Sequence, residues 1–196
     1  MKPFRTLAIT LLTLAGLLGM AAPAAAGPVV DPSTLQPPPP PGADCRQDGA
    51  WIICHTGLQF TPVNAPAFDL PCGTIYETAV DVRRGIRWYD SSTRRLVTRF
   101  VTQTFNGTWS LSPTGAGPTV TVTAHVSWRN VGIDADADES TWPTTYHGNS
   151  FLVRAPGTGV IVHVAGIDLP DGTHHGVARF PEDPEVAAQL CAALTG

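Results

Sequence analysis

Six arginines crowd into seventeen residues of "VDVRRGIRWYDSSTRRLVTRF": Arg83, Arg84, Arg87, Arg94, Arg95 and Arg99. A guanidinium presents a planar fork of donors that matches carboxylate, phosphate or sulfate oxygens two at a time. If the chain reverses through Ser91 and Ser92, Arg84 falls near Arg99 across a hairpin and Trp88 near Arg95. Like charges directly opposite on paired strands repel, so such a face needs an anion to balance it. Arg84, Trp88, Arg95 and Arg99 are therefore the candidate ligand-binding residues, and a ligand phosphate, sulfate or uronate is the candidate anion. The competing reading is that Asp81, Asp90 and an acidic loop further on neutralise a solvated face.

That loop is "DADADES", whose Asp134, Asp136 and Asp138 fit alternate positions of a calcium loop. Glu139, however, stands where the sharp turn needs glycine, and Thr145 where a bidentate glutamate belongs. A solvated acidic loop facing the arginines is the expected outcome. The six histidines, His55, His125, His147, His163, His174 and His175, are scattered. His163 sits between Val162 and Val164 in an apolar strand and is expected to be a neutral structural residue. No GxSxG, HExxH or P-loop motif occurs. Carboxylate pairs such as Glu77 and Asp81 arise in any β protein. Five tryptophans offer a pocket wall or a sugar platform, though tryptophans on strands more often fill a core. No catalytic residue, metal or cofactor is expected.

Lys2 and Arg5 precede an apolar run from Leu7 to Leu18, and Ala24-Ala25-Ala26 has the small-residue pattern of a cleavage site. Residues 1–26 therefore read as a secretory signal peptide, too short and interrupted to span a membrane. The expected location is secreted and extracellular. Lys2 and Arg5 leave with the leader, so ten arginines remain of the twelve basic residues, against sixteen carboxylates. A net charge near −6 disfavours any overall attraction to nucleic acid or anionic membrane.

Four cysteines in an exported chain imply two disulfides. Cys45 and Cys54 flank Asp48-Gly49, a strong hairpin-turn pair, which favours Cys45–Cys54 and leaves Cys72–Cys191.

The elements that must carry these residues read as strands. Residues 27–43, with five consecutive prolines, read as a Pro-rich disordered linker. From Asp44 onward apolar residues alternate with period two, most clearly in "PTVTVTAHVSW". "TIYETAVDV" (Thr74 to Val82) and "LVTRFVTQTF" (Leu96 to Phe105) share the Thr, Val and aromatic content of strands. Turn signals stand near Asp90, at Asn106-Gly107, around Ser112 and at Ala155. A single domain over residues 44–196 follows: all-β, an antiparallel meander closed as a lipocalin-like barrel or folded as a sandwich. One short C-terminal helix is expected over about 184–194, with Asp183 at its N-cap and Pro184 at its first position.

The leader, "CRQDGAWIICHT", "LPCGTIYET" and "GVIVHVAGI" together resemble uncharacterised exported β-rich proteins of actinobacteria. The resemblance implies a small secreted β-domain and no activity. The expected function is thus a non-enzymatic binding module, monomeric, with an anionic small molecule or a cell-envelope polymer as partner. A structural or envelope-associated interaction protein is the alternative, and a hydrolase a distant one.

Overall fold

A computed structural model describes residues 27–196; the leader expected over residues 1–26 lies outside the described residues. Nine antiparallel strands follow one another: β1 (Asp44–Asp48), β2 (Trp51–Phe60), β3 (Ala65–Leu70), β4 (Gly73–Asp90), β5 (Leu96–Ser110), β6 (Thr119–Val131), β7 (Thr144–Ala155), β8 (Gly159–Asp168) and β9 (His174–Arg179). A helix, α1 (Pro184–Thr195), ends the chain. All strands belong to one sheet, ordered β1-β2-β4-β5-β6-β7-β8-β9, with β3 paired to β4. The all-β meander with its C-terminal helix is as expected from the period-two pattern. The lipocalin-like closure is not: β1 and β9 do not pair, so the sheet stays open.

Among the described residues the two clusters of buried apolar side chains lie on one face of this sheet, called the inner face below. Toward the β6–β8 end, Trp109, Val120, Val122, Val153, Val162 and their neighbours pack beneath Val186, Leu190 and Leu194 of α1. The Cys72–Cys191 disulfide ties that helix to the loop before β4. At the other end, Ile52, Tyr89 and Leu96 pack with the Cys45–Cys54 disulfide, Trp142, Val30 and Leu35. The helix and two irregular segments therefore cover the inner face, where a closed barrel would have used its own far wall.

One of those segments is the stretch read as a disordered linker. Residues 27–43 instead lie along the sheet. Val30 N–H donates to Cys45 and Gln47 N–H to Pro28, while Gln36 exchanges bonds with Arg94 and Leu96. The Tyr89 hydroxyl donates to the Pro37 carbonyl at 3.0 Å. Two apolar anchors, Val30 and Leu35, are enough because the prolines between and after them have little backbone freedom to lose.

Two turn signals also act differently from expectation. Asn106-Gly107 makes no turn but lies inside β5. A Cβ on Gly107 would stand 2.6 Å from the Ala79 Cβ, so glycine is there for close strand approach. The arginine hairpin turns through Ser91–Arg94, with Arg94 at φ 59°. The Asp90 carboxylate holds this turn by accepting from the Ser92 and Thr93 amides and hydroxyls.

Candidate functional site

The wider turn and a β-bulge after Trp88 reset the register of β4 against β5. Arg87 stands opposite Arg99, Arg84 opposite Thr102, and Trp88 opposite Thr98. Because side chains alternate between faces, Arg83, Arg87 and Arg99 point to the inner face. Arg84 and Trp88 point away from it. Arg95, just after the turn, is held by Asp136 at 2.6 Å and Asp134 at 3.8 Å. The four residues expected to form one binding face are thus divided among three places, and the acidic loop does neutralise Arg95.

What gathers instead is an inner-face cavity of about 250 Å³ between the two apolar clusters. Its walls are Arg83, Arg87, Arg99, Val101 and Trp128, and the covering segments contribute Pro40 and Glu139. Gly85 opens the floor, since a Cβ there would meet the Thr56 hydroxyl at 2.7 Å. Glu139 opens a single 3-10 turn capped by Asp138, whose carboxylate accepts from Ser140 N–H. The turn aims the Glu139 carboxylate inward. Arg87 Nη2 donates to one of its oxygens at 3.0 Å and Arg99 Nη1 to the other at 2.5 Å.

The rest of the network fixes these guanidiniums in place. Arg99 Nε donates to Asn130 Oδ1 at 2.9 Å, and Asn130 donates in turn to Thr144 and to the Pro143 carbonyl. The Arg99 guanidinium also lies 4.8 Å over the Trp142 ring, a favourable place for a cation. Arg83 makes two bonds to Asp81, which also accepts from Gln103 at 2.9 Å. Each guanidinium is therefore held by packing and hydrogen bonds before anything enters.

Two cations share one carboxylate here. Burial pushes the Glu139 carboxyl up, but Arg87 and Arg99 outweigh it and hold the group below its ordinary value. Burial pulls the Arg99 guanidinium down, with Glu139 opposing. Each guanidinium has the Glu139 carboxylate beside it, but that one carboxylate balances only one of the two positive charges. Arg87 is the more enclosed, with a side chain only 6% exposed and an Nη1 that is shut off from solvent without a hydrogen-bond partner. The uncompensated charge favours an oxygen anion in the cavity that Arg87 and Arg99 line.

Arg99 is the one expected site residue that the structure brings to this cavity. Arg87 figures in the sequence only as one of six clustered arginines, Trp128 as one of five tryptophans that offer a pocket wall, and Glu139 as part of a solvated loop. Strict alternation from Asp81 through Tyr89 carries a signal for Arg87, because it shares a face with Tyr89. Nothing local marks Glu139 as the anchor of the acidic loop.

Further along the same face His174 Nδ1 and Asp168 Oδ1 lie 2.5 Å apart, and no group of three His, Cys, Asp or Glu among the described residues is placed to hold a metal ion. His163 is half-buried on the outer face rather than enclosed in a core. No helix among the described residues is long and apolar enough to cross a membrane. Comparison with known protein families, with curated proteins and with solved structures finds no match to this chain.

Proposed function

We propose that this protein is a secreted, non-enzymatic binding module whose inner cavity takes the carboxylate or phosphate group of a small anionic molecule. The pair of guanidiniums in the wall of that cavity, Arg87 and Arg99, with the single carboxylate of Glu139 between them, carries the reading. Two preorganised guanidiniums offer a charge-assisted, forked site, and Trp128 offers an apolar wall for the rest of the ligand. The cavity is small beside the 300–1,000 Å³ common for ligand pockets, which suits a ligand of few heavy atoms. Two disulfides support an oxidising, extracellular setting.

Glu139 acts in this proposal as a tethered competitor that occupies the site when it is empty. Calorimetric titration with phosphate, acetate and succinate at low salt tests it. The full chain should bind at least one of these, and Arg99→Gln should weaken that binding at least tenfold. Glu139→Gln should strengthen it even while destabilising the fold, because the internal carboxylate no longer competes. No heat of binding with any of the three, or weaker binding by Glu139→Gln, overturns the proposal.

A further inference from the structure

The outer face carries a second arrangement that shares no side chain with the inner guanidinium pair. Trp51 on β2, Trp88 on β4 and Phe100 on β5 run diagonally across three paired strands, since Ile53 stands opposite Trp88 and Ile86 opposite Phe100. Diagonal neighbours on a sheet face lie roughly 7–8 Å apart, so the three rings form a line. They border an open groove of about 580 Å³ that ends at Arg129. A second hollow of about 510 Å³ begins on the other side of Phe100 and reaches Arg84. Trp51 is 42% and Phe100 36% exposed, and neither ring belongs to a buried apolar cluster; Ile53 and Ile86 line the same two hollows beside them.

Charge decides the kind of occupant. Arg84 and Arg129 are exposed, and neither has a carboxylate within salt-bridge distance among the described residues, unlike Arg46, Arg83, Arg87, Arg95 and Arg99. The rings lie on a strip that carries these free cations toward its far side. Indole faces stack on flat apolar surfaces, and guanidiniums pair with carboxylates. A pyranose ring with a C5 carboxylate presents both. Nucleic acid also stacks in this way, but a groove that tracks its backbone is lined by a run of cations, whereas this strip offers two, Arg84 and Arg129.

We infer that the outer strip from Trp51 to Arg84, with Arg129 beside it, binds a uronate-bearing polysaccharide. Hexuronate units stack on Trp51, Trp88 and Phe100, and their carboxylates pair with Arg129 and Arg84. This second site uses other rings and other guanidiniums than the inner cavity, whose lining shares only Thr56 and Gly85 with the hollow that reaches Arg84.

The test is titration of the full chain with polygalacturonate in 20 mM and 500 mM salt, followed by calorimetry and tryptophan fluorescence. Fully methyl-esterified polygalacturonate and an oligothymidylate serve as comparison probes. Polygalacturonate should bind and perturb the tryptophan emission. Binding should fall at least tenfold at 500 mM salt, because exposed charges are screened over a few ångströms there. It should fall at least tenfold with the methyl ester, with Trp51→Ala, and with Arg84→Gln/Arg129→Gln. Arg95→Ala, which touches only the acidic loop, should bind as the parent does. The inference is overturned if polygalacturonate fails to bind, if Trp51→Ala binds equally well, or if the oligothymidylate binds more tightly.

Discussion

Arg83 and Arg84 are adjacent in sequence and face opposite ways. Arg83 sits on the inner face with Arg87 and Arg99, and each of the three has a carboxylate partner within 3.0 Å; Arg87 and Arg99 lie under the covering segments, while Arg83 keeps 41% of its side chain in water. Arg84, with Arg129, stands on the outer face with none. The same side chain serves two purposes because its surroundings differ. Beneath the cover the guanidinium is desolvated, so an unpaired one would be costly and a partner is built into the chain. In water it needs no partner and remains available to one. A run of arginines in a strand is therefore two populations, sorted by the pleat.

The strongest way to break the contrast is to loosen the cover. Leu35 is 2% exposed and anchors residues 27–43 against Tyr89, Leu96 and Trp142. Leu35→Ala should lower the unfolding free energy by about 3 kcal/mol, within the range for buried Leu truncations. A loss below about 1 kcal/mol in urea unfolding would mean that the segment is a loose spacer after all, and that the inner arginines are as wet as the outer ones.

Removing the shared carboxylate is a smaller intervention. Breaking a fully buried ion pair costs about 3–5 kcal/mol, but the Glu139 side chain keeps 48% of its surface in water. Glu139→Gln should therefore cost about 2 kcal/mol by urea unfolding. A cost near zero would show that Arg87 and Arg99 are not desolvated as the geometry requires.

Acid sharpens the same point. Glu139 is held below its ordinary value of 4.5. A carboxyl depressed in the folded state stabilises above its unfolded pKa, and the contribution is lost as pH falls through the folded value. The gap in stability between parent and Glu139→Gln should be constant above about pH 5.5 and should shrink below 4.5. Asp90, bound by the Ser92 and Thr93 hydroxyls and amides, is lowered to about 2 from 3.8. Its contribution persists to lower pH, fading between those two values. Stability curves from pH 7 to pH 2 for the parent and Glu139→Gln, with Asp90→Asn alongside, separate the two.

What the sequence disclosed follows the range of each signal. Period-two alternation is local, so β6 and the inward set Val120, Val122 and Ala124 were legible, as was α1 from Asp183-Pro184 and its apolar stripe. The capping detail differs, because the Asp183 carboxylate accepts from Phe180 N–H and not from the helix. The arginine site was half legible. Composition marked the stretch, but assigning partners needed the turn, and an arginine at positive φ in a four-residue loop gives little notice of itself. An error of a few positions in register, with the bulge, moved Arg84 and Trp88 to the wrong face. Glu139 was illegible for another reason: its partners lie 52 and 40 residues away. Closure was illegible too, since alternation says which face is buried and not what buries it.

The outer arginines supply the smallest expected effect on stability, and it is the one that most directly tests the comparison. Arg84 and Arg129 are exposed and unpaired, so replacing both removes no hydrogen bond, no buried charge and little packing. Exposed substitutions away from caps, turns and cores usually stay within about 0.5 kcal/mol. The two lie on β4 and β6, separated by β5, so relief of mutual repulsion is also small at ordinary salt. Arg84→Gln/Arg129→Gln should therefore match the parent within about 0.5 kcal/mol in urea, with an unchanged slope. A loss of about 2 kcal/mol would mean that these arginines hold the fold together. The outer strip would then be a structural network, and its freedom to bind an anion would disappear with the contrast between the two faces.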